Sequence, residues 1–261
     1  MPELPDLEVF KTNIFNRLSS KRLIETEVFN TMKVTTHKGA QLGELNGLEL
    51  LSVGRFGKEL IFDFGERRII AVHLMLSGKP SIVAREEAGA VKYKIFAMHF
   101  QRETLVFSDN IRQCTVKYKP ASSRTPDAFG ASFTPEYFIK AAGKRPIVKA
   151  KAFLTDQSVV KGIGNAYADE ILWAARVSPH SFMCKIPQDA LLTLYNAIGT
   201  VLRDAIESIK RIDPGIISGE VRDFLKVHNA ALKATETGFP VIVEYIASKK
   251  TYYTEEQTLY K

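Results

Sequence analysis

The chain has 261 residues, 45% hydrophobic and 25% charged, which is the balance of a soluble globular protein with room for one large or two ordinary domains. Thirty-six Lys and Arg against 29 Asp and Glu give a net charge of +7, which suits a polyanionic partner. Two cysteines, Cys114 and Cys184, with no CxxC pair, exclude a disulfide framework and fit a reducing cytoplasm; the acidic opening and the lack of a long apolar run predict neither a signal peptide nor a membrane span.

The first element is a helix. In "MPELPDLEVF" Pro5 has the φ of a helix start, and Glu3, Asp6 and Glu8 suit the positive end of the helix dipole. Leu7, Phe10, Ile14 and Leu18 follow at helical spacing and mark one buried stripe. From Arg22 to Tyr118 the texture is that of strands: "RLIETEVF", "LELLSVG", "ELIFDFG", "RIIAVHLML", "YKIFAMHF" and "TLVFSDN", with turn-like Gly, Lys and Glu groups between them. Short strands repeated after one helix predict an antiparallel sandwich or barrel. The Pro-, Ser- and Gly-rich "KPASSRTPDAFGAS" reads as a linker. Helical periodicity begins at Thr134, an N-cap followed by proline in "TPEYFIKAA", and is strongest in "PQDALLTLYNAIGTVLRDAIESI". No internal repeat is present. The domain boundaries expected are 2–119 for a β-sandwich domain, 120–133 for the linker, 134–228 for a helical domain and 229–261 for a terminal hairpin.

Two stretches carry chemistry. Removal of Met1 would expose Pro2 as a terminal secondary amine with a pKa near or under the ordinary α-amino value of about 8. Such an amine attacks an electrophilic carbon to give an iminium, and Glu3 beside it can move the protons. The competing reading, in which Pro5, Glu3, Asp6 and Glu8 only start a helix, leaves Pro2 unexplained. The second stretch is "DQSVVKGIGNAYADEIL". Gly162 and Gly164 make a tight turn that feeds Asn165 at a helix start, a natural phosphate cradle, although glycine pairs also simply cap helices.

Taken together, "PELPDLE" at the terminus, "GRFGKELIF" with Lys58 in a hairpin, "HLMLSG" from His73 to Gly78, and "DQSVVKGIGNAYADEIL" resemble the formamidopyrimidine-DNA glycosylase and endonuclease VIII family, in its order and spacing over nearly the whole chain. The resemblance implies an α+β fold: an N-terminal helix plus antiparallel β-sandwich, then a helix-two-turn-helix domain with a C-terminal β-hairpin finger. It implies base-excision repair by a bifunctional DNA glycosylase and AP lyase acting as a monomer on damaged DNA without a cofactor. Pro2 maps to the nucleophile at C1′, Glu3 to the general acid/base, and Lys58 to the hairpin lysine that meets DNA at the lesion. Gly164 and Asn165 map to the phosphate-binding turn. Glu170 maps to a supporting acid, with an ordinary solvated helix glutamate as its alternative.

Three features depart from the family. The positions of the finger's zinc ligands hold Ala234, Thr237, Thr254 and Gln257, so no thiolate site forms and the expectation is a zincless finger held by packing. Lys249 replaces the finger's phosphate-binding arginine and loses its bidentate fork. Among the residues that fill the gap left by a flipped nucleotide, Leu76 stands for Met, and "DNIRQC" supplies Arg112 with Gln113 in place of an aromatic ring. Leu76 has a core strand position as its alternative. Finally, "KRIDPGIISGEVRDFLKV" is short, and its helix-like "SGEVRDFL" leaves little chain to cap a flipped 8-oxopurine. The expected preference is for oxidised pyrimidines and ring-opened lesions. Two rival functions stand beside this one: a non-catalytic DNA-binding relative, and an enzyme for a small phosphorylated substrate.

Overall fold

The computed structural model describes residues 1–36 and 39–261, which form two units: Met1–Ser122 with Ile209–Glu220, and Ser123–Ser208 with Val221–Lys261. In the first unit, helix α1 (Leu4–Leu18) starts where expected. Glu3 is its N-cap, Pro5 lies in its first turn, and a Glu3–Asp6 capping box closes its end, with the Glu3 N–H donating to Asp6 Oδ2 at 2.8 Å. Leu7, Phe10, Ile14 and Leu18 are all fully buried.

Among the described residues, nine strands follow. β1 (Leu23–Val28), β2 (Val34–Thr36), β3 (Ser52–Phe56), β4 (Glu59–Asp63), β5 (Ile69–His73), β6 (Lys79–Ala84), β7 (Lys94–Phe100), β8 (Glu103–Ser108) and β9 (Thr115–Tyr118) make two sheets. One is ordered β1-β7-β8-β6 and the other β2-β9-β5-β4-β3. They pack as a sandwich, with Phe62 of β4 meeting Phe107 of β8 edge to face at 5.8 Å between centroids. α1 lies against β3 and β4, which sets the helix start beside the β3–β4 hairpin. Two corrections apply here. The periodicity missed β2, β6 and β9, and β2 pairs with β9 in parallel, so the sandwich is not wholly antiparallel.

The second unit holds α2 (Pro135–Gly143), α3 (Ala150–Thr155), α4 (Asn165–Ala174) and most of α5 (Gln188–Ile212), then β10 (Ile242–Ile246) and β11 (Lys249–Tyr253) paired antiparallel. The Thr134 hydroxyl caps α2 by accepting the Tyr137 N–H at 3.2 Å. Phe133, Phe138, Phe153 and Tyr195 form its aromatic core, and β11 packs on α4.

The boundaries also differ from expectation. Residues 209–220 join the first unit because Ile216 and Ile217 pack on its core and the Asn13 amide donates to the Pro214 and Ile216 carbonyls at 2.9 and 2.8 Å. Most of the expected linker belongs to the second unit, where Asp127 bridges Lys161, and the finger is part of that unit rather than separate. "SGEVRDFL" contains no helix; the chain is irregular from 213 to 226, with Gly219 at φ +88°. The segment is therefore irregular chain with turns and bends rather than helix, which removes one ground for the expected lesion preference; its shortness and Gln113 are unchanged. Among the described residues, no helix is long and apolar enough to cross a membrane.

Candidate functional site

In the first unit, Pro2, Glu3 and Lys58 are all buried, Lys58 to 9% exposure. The Met1 amine is ion-paired with Glu220, and while Met1 is present the Pro2 nitrogen is an amide without a nucleophilic lone pair. Lys58 follows Gly57, which turns the β3–β4 hairpin at φ +59°. Arg55, absent from the sequence-based candidates, ties that hairpin to the helix: its Nε donates to Glu8 of α1 at 2.7 Å and one guanidinium nitrogen donates to the Gly57 carbonyl at 3.0 Å. A fixed planar fork holds the lysine's turn against the helix that begins at Glu3.

The gap-filling candidates sit on two neighbouring loops. Leu76 is 60% exposed on the turn after β5, so it is not a core strand residue. That turn is tight enough to require Gly78, where a Cβ would lie 2.2 Å from the Leu74 carbonyl oxygen. Arg112, at φ +56°, and Gln113 lie between β8 and β9. One buried side chain organises both loops. Asp109 accepts the N–H groups of Ile111, Gln113 and Cys114 at 3.0, 2.6 and 2.7 Å, and also the hydroxyl of Ser77, next to Leu76. Burial pushes the Asp109 carboxyl up, but these four donors outweigh it and hold the group below the usual aspartate range. Burial, with Asp109 adding to it, pushes the neighbouring Cys114 thiol up to about 12, which makes it an inert core residue.

In the second unit, Gly162 adopts φ +106°, Gly164 is the N-cap of α4, and Asn165 is the first residue of the helix. The Asn165 amide donates to the Lys250 carbonyl of β11 at 2.9 Å, bringing the glycine turn and β11 together. Lys249 is exposed at the start of β11, after a tip in which Ala247 and Ser248 are both left-handed, the backbone of a type I′ hairpin turn.

Glu170 is not a solvated glutamate. It is 4% exposed and accepts the N–H groups of Lys226, Val227 and His228 at 3.0, 2.9 and 2.7 Å, so it fixes the segment entering the finger. Burial raises its carboxyl above the usual range against the pull of those donors. Beside it, Asp169 pairs with buried Lys151 at 2.7 Å and with His228 at 2.7 Å, and accepts the Tyr252 N–H of β11 at 3.0 Å. Lys151 also donates to the Lys250 carbonyl at 3.1 Å. Lys151 had one sequence signal, a cation inside the apolar run "AKAFL"; Asp169 had none.

The fold family implies zinc in the finger, but the residues present do not fit it. Thr254 Oγ1 donates to Glu256 at 3.0 Å, the Gln257 amide is occupied by the Val177 carbonyl and the Thr254 N–H at 2.8 and 2.9 Å, and Ala234 has no donor atom. Among the described residues, no group of three or more His, Cys, Asp or Glu is placed to hold a metal. Nor is packing the whole account. Trp173, Val227 and Tyr252 form a small apolar cluster, and a polar network around Glu256 lies beside it.

This combination, a helix-fronted β-sandwich and a helical unit with a glycine turn and a hairpin finger, defines a DNA glycosylase architecture. Residues 1–116 match the formamidopyrimidine-DNA glycosylase N-terminal domain and residues 125–213 the formamidopyrimidine-DNA glycosylase H2TH domain. The chain is 31% identical to the formamidopyrimidine-DNA glycosylase of Carboxydothermus hydrogenoformans over 97% of its own length and 98% of that protein's, and 25% identical to that of Lactococcus lactis subsp. lactis over 97% of each. The solved complex between Lactococcus lactis Fpg and DNA containing an abasic site superposes with a TM-score of 0.85 at 23% identity, covering 98% of this chain and 100% of that one. The chain belongs to the formamidopyrimidine-DNA glycosylase and endonuclease VIII family.

Proposed function

We propose that this protein is a bifunctional DNA glycosylase and AP lyase that removes oxidised bases through the amine of Pro2, acting on damaged DNA as a monomer. The observation that carries the reading is the arrangement at the start of α1: Pro2 and a buried Glu3 open the helix, and Arg55 locks the Lys58 hairpin against it. Once Met1 is removed, the Pro2 nitrogen bonds to C1′ of an extruded nucleotide as the bond from C1′ to the base breaks. The base leaves with a proton, and the amine gives up its own. Opening of the sugar, with Glu3 moving the proton, leaves an iminium between Pro2 and C1′. Loss of a proton from C2′ then expels the 3′ phosphate by β-elimination, and a second elimination expels the 5′ phosphate.

Leu76, Arg112 and Gln113 fill the vacated stack; Gln113 gives up roughly 1–3 kcal/mol of ring stacking and offers hydrogen bonds to base edges. Gly164, Asn165 and Lys249 hold phosphate, and Glu170 supports them from the buried side of α4. The test is excision and nicking by protein whose N-terminus is confirmed to be Pro2. Nicking of an abasic duplex and release of an oxidised base support the reading. Tight binding of the same duplexes with neither reaction would instead establish a non-catalytic damage-binding relative.

A further inference from the structure

The finger has lost its metal ligands and kept its hairpin, and the position adjoining two of those ligand sites shows what does the holding. Glu256 Oε2 accepts from the Trp173 indole at 3.2 Å, the Thr254 hydroxyl at 3.0 Å and the Thr235 hydroxyl at 3.4 Å, and Oε1 accepts from Arg176 at 2.7 Å. Thr237, one of the former ligand positions, is tied in through Thr235, 2.8 Å away between hydroxyl oxygens. A tetrahedral zinc joins two short knuckles of chain. The Glu256 carboxylate joins the same two, Thr235 (with Thr237 bonded to it) on one side and Thr254 on the other, and adds a third tie to the end of α4. Its charge is met by Arg176, whose guanidinium also stacks on Trp173 at 4.8 Å.

We propose that Glu256 is a metal-free hub that takes over zinc's structural task and is thereby a positioning residue for Lys249, an inference that rests on the DNA-binding role given to Lys249 above. The hub fixes the base of the hairpin. From there β11 runs in unbroken register with β10, from Ile242 opposite Tyr253 to Ile246 opposite Lys249. The Tyr252 N–H is held by Asp169 midway, and Asn165 and Lys151 hold the Lys250 carbonyl next to the tip. Each tie removes freedom from the strand that presents Lys249, so its ammonium meets a phosphate at little ordering cost.

Trp173 is the chain's single tryptophan, so its fluorescence reports on the hub without regard to activity. The experiment compares wild type, Glu256→Ala, Glu256→Gln and Arg176→Ala for Trp173 emission and for binding to a duplex carrying a non-cleavable abasic analogue over a range of salt. Glu256→Ala is expected to red-shift the emission, weaken binding roughly tenfold, and flatten the salt dependence by about one phosphate contact. Glu256→Gln keeps the acceptor for the hydroxyls and the indole, loses the Arg176 pair, and is expected to fall between, as is Arg176→Ala. If Glu256→Ala does not fold, those two milder variants carry the test. Unchanged emission in the variants would overturn the hub; shifted emission with unchanged affinity and salt dependence would overturn the positioning role. Wild-type protein that fails to bind the damaged duplex would overturn the functional reading, while the emission of the variants would still decide the hub.

Discussion

The two ends of this molecule differ in how closely they follow the family resemblance. The family resemblance assigns Pro2, Glu3 and Lys58 to catalytic positions at the N-terminus, whereas at the finger it places Ala234, Thr237, Thr254 and Gln257 where metal ligands would stand, while the hairpin remains. In the proposed chemistry a nucleophile and its proton carrier must be particular atoms in particular places, because the bond to C1′ would form at one nitrogen. A finger has only to hold a cation still, and a carboxylate with several donors around it does that as a metal does.

The largest effect that sharpens this contrast is expected at Glu3. Glu3→Gln should slow base release by about 100-fold or more, the range of general acid–base catalysis, and slow cleavage of a ready-made abasic site much less. Single-turnover rates on the two substrates measure this; equal losses would reduce Glu3 to a helix cap.

Next comes Asp109, which ties together the loops that carry Leu76 and Arg112. Asp109→Asn sets an amide N–H against backbone N–H donors and should cost about 1–3 kcal/mol of stability, read from denaturant unfolding. Because the folded carboxyl lies below its ordinary value of about 3.9, its contribution is complete above that value and lost as the pH falls through the folded one. The stability gap between wild type and Asp109→Asn should therefore be constant above about pH 5 and close below about pH 4. A gap that persists in acid would assign the loop order to something other than this charge.

Smaller again is Lys249→Ala, which should lower the slope of log affinity against log salt by about one and weaken lesion and non-lesion duplexes alike. A loss confined to lesion DNA would move Lys249 from phosphate holding to damage recognition.

The same contrast governs what could be read from the sequence. α1 and α5 were legible because an apolar stripe at helical spacing covers many turns, and the four motifs were legible because their residues are themselves the chemistry. β2 and β9 have three and four residues, too few for an alternation to show. The junction of residues 209–220 with the first unit depends on Ile216, Ile217 and Asn13 meeting across the fold, which no local pattern encodes. Asp109 in "SDN" and Glu256 in "TEEQ" look like turn acids, since a carboxylate's partners here are backbone N–H groups or residues from three separate segments. Hubs of this kind are tertiary objects.

The proposed chemistry turns on Pro2 as the nucleophile. Protein freed of Met1 should be mixed with a duplex containing an abasic site, reduced with borohydride, digested with protease and analysed by mass. A stable amine adduct is expected on the peptide that begins at Pro2; an adduct on a lysine peptide, or none from correctly processed protein, would show that Pro2 is not the nucleophile.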